Sequence, residues 1–188
     1  MKEKHKILFI GGLGSTGRKA ENIKIYLNKK GFKNTVVDII TPDYINEKPQ
    51  QIQLEIQKLI ENEYNYIFAS STGCLFALIA IDNANIKINT KIGLINPLLY
   101  LSESRQLTKD KVFLSNVMPL INHLPNINLD KENLDFIFFL SNNDEVIGTQ
   151  TDTINQITLP KTKKLIFFND NHRMGKSMDD IIAIMFQK

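Results

Sequence analysis

The chain has 188 residues, 43% of them hydrophobic and 23% charged, with a formal net charge of +3. That balance excludes a disordered chain, gives no case for nucleic acid, and is enough for one sizeable core, so a single domain over 1–188 is expected. One cysteine excludes an internal disulfide framework, no apolar run approaches the ~18 residues of a membrane span, and the basic start Met1–Lys6 precedes only four apolar residues, too few for a secretion signal; the expected compartment is the cytoplasm.

In chain order, Ile7-Leu8-Phe9-Ile10 marks a strand over 6–10, continuous in its apolar character and so suited to burial on both faces. A helix over 17–30, a strand over 34–38, a helix over 50–62, a strand over 65–69, a helix over 73–82 and a strand over 91–95 follow. Beyond Asn133 come a strand over 135–140, a helix over 150–157, a strand over 163–168 and a helix over 176–187. Strands alternating with helices predict an α/β fold, a parallel sheet covered on both faces. The interval from Pro97 to Asn133 breaks the rhythm. Its apolar clusters Leu98–Leu101 and Val117–Ile121 argue against disorder.

The third strand runs into Ala69-Ser70-Ser71-Thr72-Gly73. A serine on a tight strand-to-helix turn sits in a strained backbone, and its neighbours two positions away must be small for strand and helix to come close. The run fits the nucleophile elbow G-x-S-x-G of α/β-hydrolases, with Ala69 in the first Gly position. In that fold the partners follow in the order Ser, Asp or Glu, His. Downstream, Asp144 follows the strand-like run Phe136–Leu140, and His172 follows Leu165–Phe168. Both lie just past the carboxyl end of a predicted buried strand, where parallel sheets place their chemistry. Glu145 adjoins Asp144 and competes for the same role, and Asp170 lies two residues from His172. The bland reading of these positions is a Ser-rich turn, an Asn-rich turn and a surface histidine.

Taken together, Ser70-Ser71-Thr72-Gly73, Ile95-Asn96-Pro97, Asn143-Asp144-Glu145-Val146 and Asn171-His172 resemble the small bacterial esterases of the YqiA type, over nearly the whole chain from Ile7 to Phe186. Three places depart from that pattern: Gly11 stands where the family has His in its first loop, Ala69 where its elbow begins with Gly, and Cys74 where it has a further Gly. The resemblance implies a minimal α/β-hydrolase with a six-stranded parallel sheet in the order 2-1-3-4-5-6. It implies a triad of Ser71, Asp144 and His172, with oxyanion donors at the backbone N–H groups of Leu13 and Thr72. It prefers Asp144 over Glu145 through the Asp-Glu-Val match. It also places a small cap at 97–133, where Met118, Leu120 and Ile121 are expected to face the cleft or the packing beneath it. The implied reaction is hydrolysis of a small acyl ester or thioester, with no metal and no cofactor.

A rival from another class remains. Gly12-Leu13-Gly14-Ser15-Thr16-Gly17 fits G-x-G-x-x-G between a strand and a helix, and Asp38 ends the predicted second strand, the setting of an NAD(P)-binding fingerprint. That reading leaves Ser71, Asp144 and His172 without a purpose. The third reading is a catalytically silent hydrolase fold used for binding, kept open by Gly11 and Ala69. Oligomeric state, acyl chain and leaving group are not legible.

Overall fold

Six strands and six α-helices alternate through the residues that the computed structural model describes, 5–32, 34–101, 110–148, 150–159 and 163–187. The strands are β1 (His5–Ile10), β2 (Thr35–Ile40), β3 (Tyr66–Ser70), β4 (Thr90–Ile95), β5 (Leu134–Ser141) and β6 (Lys164–Phe168). The helices are α1 (Arg18–Lys29), α2 (Pro49–Ile60), α3 (Thr72–Asn83), α4 (Lys111–His123), α5 (Thr151–Gln156) and α6 (Met178–Met185). All pairings are parallel and the order is β2-β1-β3-β4-β5-β6, as expected. The order changes direction between β1 and β3, which makes their carboxyl ends a natural place for a site.

Alternation along the strands builds a core on each face. Leu8 and Ile10 of β1, Ile67 and Ala69 of β3, and Phe136, Phe138 and Leu140 of β5 pack with α2, α3 and α4. Ile7, Phe9, Phe68, Ile137 and Phe139 point the other way, onto Ala20, Ile23 and Leu27 of α1 and Ile181, Ile182 and Met185 of α6. The edge strands are less covered, with Val36 and Ile39 of β2 and Phe167 of β6 exposed. Helix α3 is buried on every side from Thr72 to Ile81, which explains its lack of an amphipathic pattern.

The interval between β4 and β5 holds a helix that the sequence pattern does not predict. Asp110 caps α4, its Oδ1 accepting from the N–H groups of Val112 and Phe113, both at 3.0 Å. Phe113, Val117 and Ile121, four residues apart, form one buried stripe in the core with α3, and Met118 and Leu120 are partly buried against the same core. Asn116 anchors the helix by donating to the carbonyls of Tyr44 (2.9 Å) and Ile45 (3.2 Å). The expected cap interval therefore contains a core-packed helix, and residues 102–109 of it lie outside the described residues. Among the described residues, no helix is long and apolar enough to cross a membrane.

The buried stripe makes a prediction. Phe113→Ala should destabilise the protein by about 3–5 kcal/mol, read as a lower urea midpoint with an unchanged m value.

Candidate active site

The β3–α3 turn carries the first component. Ser71 has φ 52° and ψ −123°, a left-handed-side conformation that a residue with a Cβ enters only at a cost of about 1–3 kcal/mol. Three bonds hold it there. Its N–H donates to the carbonyl of Ile95 (2.9 Å), and its own carbonyl accepts from the N–H groups of Cys74 (3.0 Å) and Leu98 (3.1 Å). The turn is possible only because its neighbours lack bulk. A Cβ on Gly73 would lie 2.6 Å from the carbonyl oxygen of Gly11 and 2.7 Å from that of Ile10. A Cβ on Gly12 would lie 2.7 Å from the carbonyl oxygen of Ser70 and 2.8 Å from Cβ of Ser71. Ala69, in the place of the usual first Gly, is fully buried against the α3 side of the sheet without needing that space.

The loop after β1 is thus pressed against the serine turn. The same built Cβ of Gly12 comes within 3.4 Å of the Thr72 nitrogen, so the loop that continues into Leu13 lies beside the amino end of α3. Thr72 opens the helix, where N–H groups have no partner inside it. It is fully buried, and its hydroxyl has no hydrogen-bond partner among the described residues. Leu13 is half-buried, in a turn closed by the Ser15 N–H donating to the Gly12 carbonyl (3.0 Å). Tyr44 supports the loop from beneath, its hydroxyl donating to the carbonyl of Gly11 at 2.5 Å; burial pushes that phenol well above its ordinary pKa.

Two further loops meet the turn from the carboxyl ends of β5 and β6. His172 Nε2 stands 3.0 Å from Ser71 Oγ, and His172 Nδ1 stands 2.7 Å from Asp144 Oδ2. Asp144 Oδ1 accepts from the N–H groups of Val146 (3.0 Å) and Ile147 (2.9 Å), which orients the carboxylate. Burial alone would raise its pKa. The hydrogen bond and charge of His172, with those two N–H donors, outweigh it and hold the carboxyl below the usual carboxylate range. With its pKa depressed in the folded state, Asp144 adds stability above the unfolded value of about 3.9, and that contribution is lost as pH falls through the folded value. Glu145 does not face the ring: its Oε2 accepts from the backbone N–H of His172 (3.0 Å). Asp170 faces away from the ring too, its Oδ2 taking the N–H groups of Lys176 and Ser177 and the Ser177 hydroxyl, each at 3.0 Å.

Ser71, His172 and Asp144, from three separate segments, therefore stand in one hydrogen-bonded line, with Leu13 and Thr72 beside the serine. Met118 and Leu120 lie in the core packing of α4, and Ile121 lines a cavity of about 420 Å³ with Leu99, Tyr100, Leu124 and Ile157. Two contributors take uses that the sequence pattern does not assign. Asn96, at the end of β4, donates from Nδ2 to the carbonyl of His172 (2.8 Å) while its Oδ1 accepts from the Ser141 N–H (2.7 Å); it stands in the Ile95-Asn96-Pro97 motif of the resemblance, which gives it no role. Tyr44 holds the β1 loop. Neither use has a local signature, because each acts across elements far apart in the chain. Of the dinucleotide-like glycines only Gly12 contacts the serine turn, whereas Gly14 and Gly17 lie clear of it with φ of 68° and 76°, and Asp38 lies within β2, accepting the Tyr64 hydroxyl at 2.7 Å. Among the described residues no group of three or more His, Cys, Asp or Glu gathers as metal ligands would.

Searched by sequence, the chain matches no family model and no curated protein. Solved structures do match in fold. The ydeN gene product of B. subtilis superposes with TM-score 0.67 at 15% identity, covering 98% of this chain and 100% of that one. The esterase Est1E of Butyrivibrio proteoclasticus gives 0.66 at 12% identity, covering 98% and 86%. The RedJ thioesterase of the prodiginine pathway of Streptomyces coelicolor gives 0.62 at 11% identity, covering 96% and 84%. The chain has the α/β-hydrolase fold. At these identities the likeness establishes architecture and leaves the activity to be argued from the site.

The close approach at the serine turn is directly testable. Gly73→Ala should lose about 1–3 kcal/mol, since the new methyl meets two backbone carbonyls that no side-chain rotation relieves. Chemical denaturation beside circular dichroism reads the loss.

Proposed function

We propose that the protein is a serine hydrolase cleaving a carboxylic ester or acyl thioester through an acyl-enzyme on Ser71. The observation that supports it most is the line Ser71 Oγ, His172 Nε2, His172 Nδ1, Asp144 Oδ2, with separations of 3.0 and 2.7 Å. A free serine hydroxyl is a weak nucleophile and needs a base. In this reading His172 takes the Ser71 proton as Oγ attacks the acyl carbon. Asp144, kept anionic by its surroundings, holds the ring tautomer and stabilises the imidazolium that forms. The carbonyl oxygen becomes an oxyanion facing the N–H groups of Leu13 and Thr72, aided by the positive end of α3. Collapse expels the alcohol or thiol, which takes the proton from His172. Water then repeats the sequence and releases the carboxylic acid.

The narrower kinship with YqiA-type esterases rests on the sequence motifs, of which Asp144-Glu145 and Asn96 acquire distinct uses at the site. For the acyl group we assign the cavity bordered by Leu99, Tyr100, Ile121, Leu124 and Ile157, with Met118 and Leu120 backing α4. Asn122, Thr153 and Gln156 share its walls, and the apolar residues among them suit a hydrocarbon chain.

Ser71→Ala should abolish hydrolysis of a short-chain p-nitrophenyl ester and labelling by a fluorophosphonate, with the fold intact by circular dichroism. His172→Ala should lose as much, because the members act as a unit. Full activity in a folded Ser71→Ala variant would sink the assignment, and a folded wild type that neither labels nor hydrolyses would favour a binding role. Since its surroundings lower the pKa of Asp144, that carboxyl should add no second step to the acid limb of log kcat/KM, whose slope should be one.

The cavity assignment has its own test. Ile121→Trp should lower the turnover of eight-carbon esters relative to two-carbon esters. An unchanged chain-length preference in the folded variant would place the acyl group elsewhere.

A further inference from the structure

The ring of His172 has partners on both sides, but two side-chain bonds position a ring only when its own backbone is fixed. His172 lies on the β6–α6 loop between two exposed residues, Asn171 and Arg173. The far end of that loop is secured by Asp170, whose carboxylate takes Lys176 and Ser177 and whose carbonyl accepts the Ser141 hydroxyl. At its apex, the peptide groups of His172 are met from two directions. Its N–H donates to Glu145 Oε2 (3.0 Å), and its carbonyl accepts from Asn96 Nδ2 (2.8 Å), which also reaches the Asn171 carbonyl (3.4 Å).

The origin of these two side chains matters. Glu145 follows Asp144, the partner of Nδ1. Asn96 follows Ile95, whose carbonyl receives the N–H of Ser71, the partner of Nε2. The Asp144–Glu145 segment therefore meets both the ring and the backbone beneath it, and the Ile95–Asn96 segment bonds both that backbone and the turn that carries Ser71. Asn96 is itself locked. It is buried, its N–H donates to the Phe139 carbonyl (2.8 Å), its Oδ1 accepts the Ser141 N–H (2.7 Å), and its φ is 42°. Asn is among the residues that tolerate that region best, and it alone of the small ones supplies both a donor and an acceptor there.

We propose that Glu145 and Asn96 are positioning residues that clamp the main chain of His172 from opposite sides and so set the ring between Ser71 and Asp144; the proposal rests on the hydrolase reading above. Neither touches the reacting atoms. Their contribution is the register of the base loop, where a displacement near 1 Å costs on the order of 10²-fold in rate.

The test uses the full chain and a short-chain p-nitrophenyl ester. Asn96→Gly accepts the positive φ and removes only the side chain, and Glu145→Ala removes the opposite contact. Glu145→Ala, which loses the bond to the His172 N–H, should lower kcat about tenfold with KM little changed; Asn96→Gly, which loses the bonds to His172, Asn171 and Ser141, should lower it at least as much, and the double variant on the order of 10²-fold or more. Glu145→Gln keeps an acceptor oxygen and should recover most of the Glu145→Ala loss. It also removes the negative charge next to the His172 peptide, so the acid limb moves to lower pH, whereas Asn96→Asp replaces the donor with an acceptor against the His172 carbonyl and should be as impaired as Asn96→Gly. A residue that merely supports the fold would lower thermal stability without this rescue and this shift. Unchanged kcat in folded Asn96→Gly and Glu145→Ala, or a Glu145→Gln variant as impaired as Glu145→Ala with its limb unmoved, would overturn the clamp. Should Asn96→Gly fail to fold, Asn96→Asp and the Glu145 pair decide the matter. If the wild type neither hydrolyses the ester nor labels at Ser71, the hydrolase reading has failed. The clamp is then judged separately by the ¹⁵N NMR titration of the His172 ring, whose midpoint should still move to lower pH in Glu145→Gln, and an unmoved midpoint would overturn it.

Discussion

The site depends on how closely the loop after β1 approaches the turn after β3. Both lie at the carboxyl edge of neighbouring parallel strands, and the gap between them is filled by backbone and by the Cβ of Ser71. Carbonyl oxygens of Ile10 and Gly11 occupy the space where Gly73 lacks a Cβ, and the turn at Ser70-Ser71 occupies the space where Gly12 lacks one. This packing brings the Leu13 segment beside the amino end of α3. The strained Ser71 backbone persists because its N–H and carbonyl are both committed, to Ile95, Cys74 and Leu98. The Tyr44 hydroxyl, fixed to the Gly11 carbonyl, keeps the loop from relaxing away.

Much of this was legible because it is local. Strands buried on both faces read as continuous apolar runs, and the alternation with helices dictates the parallel sheet. The small residues around Ser71 have a steric cause that shows in five consecutive positions. The carboxylate and histidine were legible only as members of a series, each following an apolar run. Spacing could not separate Asp144 from Glu145, since both sit in one turn. Geometry separates them. The Asp144 side chain turns back to cap the Val146 and Ile147 N–H groups and meets the ring, whereas the Glu145 carboxylate meets the backbone of the same histidine.

What escaped the sequence is what depends on distant elements or breaks a local rule. Helix α4 contains Pro119, which lacks the N–H a helix needs and reads as a breaker. Burial of Phe113, Val117 and Ile121 against α3, with the Asp110 cap, outweighs that loss. The sequence pattern shows apolar clusters there but not which neighbour they meet. Asn96, 76 residues from His172, shows in the sequence as the polar end of an apolar strand and within the Ile95-Asn96-Pro97 motif, with nothing there to name its partner.

The charges at the site follow the same division between local and distant. Asp144 is buried, yet it remains easier to ionise than a carboxyl in water, because three donors from two segments converge on it and outweigh the cost of removing it from solvent. In the proposed hydrolysis an anion so satisfied has little drive to take a proton from the imidazole, and its place is to hold the ring. The proton that moves would be the one between Ser71 and His172, so that the Asp144 loop orients, the His172 loop transfers and the strained turn presents the serine, three segments that meet only where the strands end.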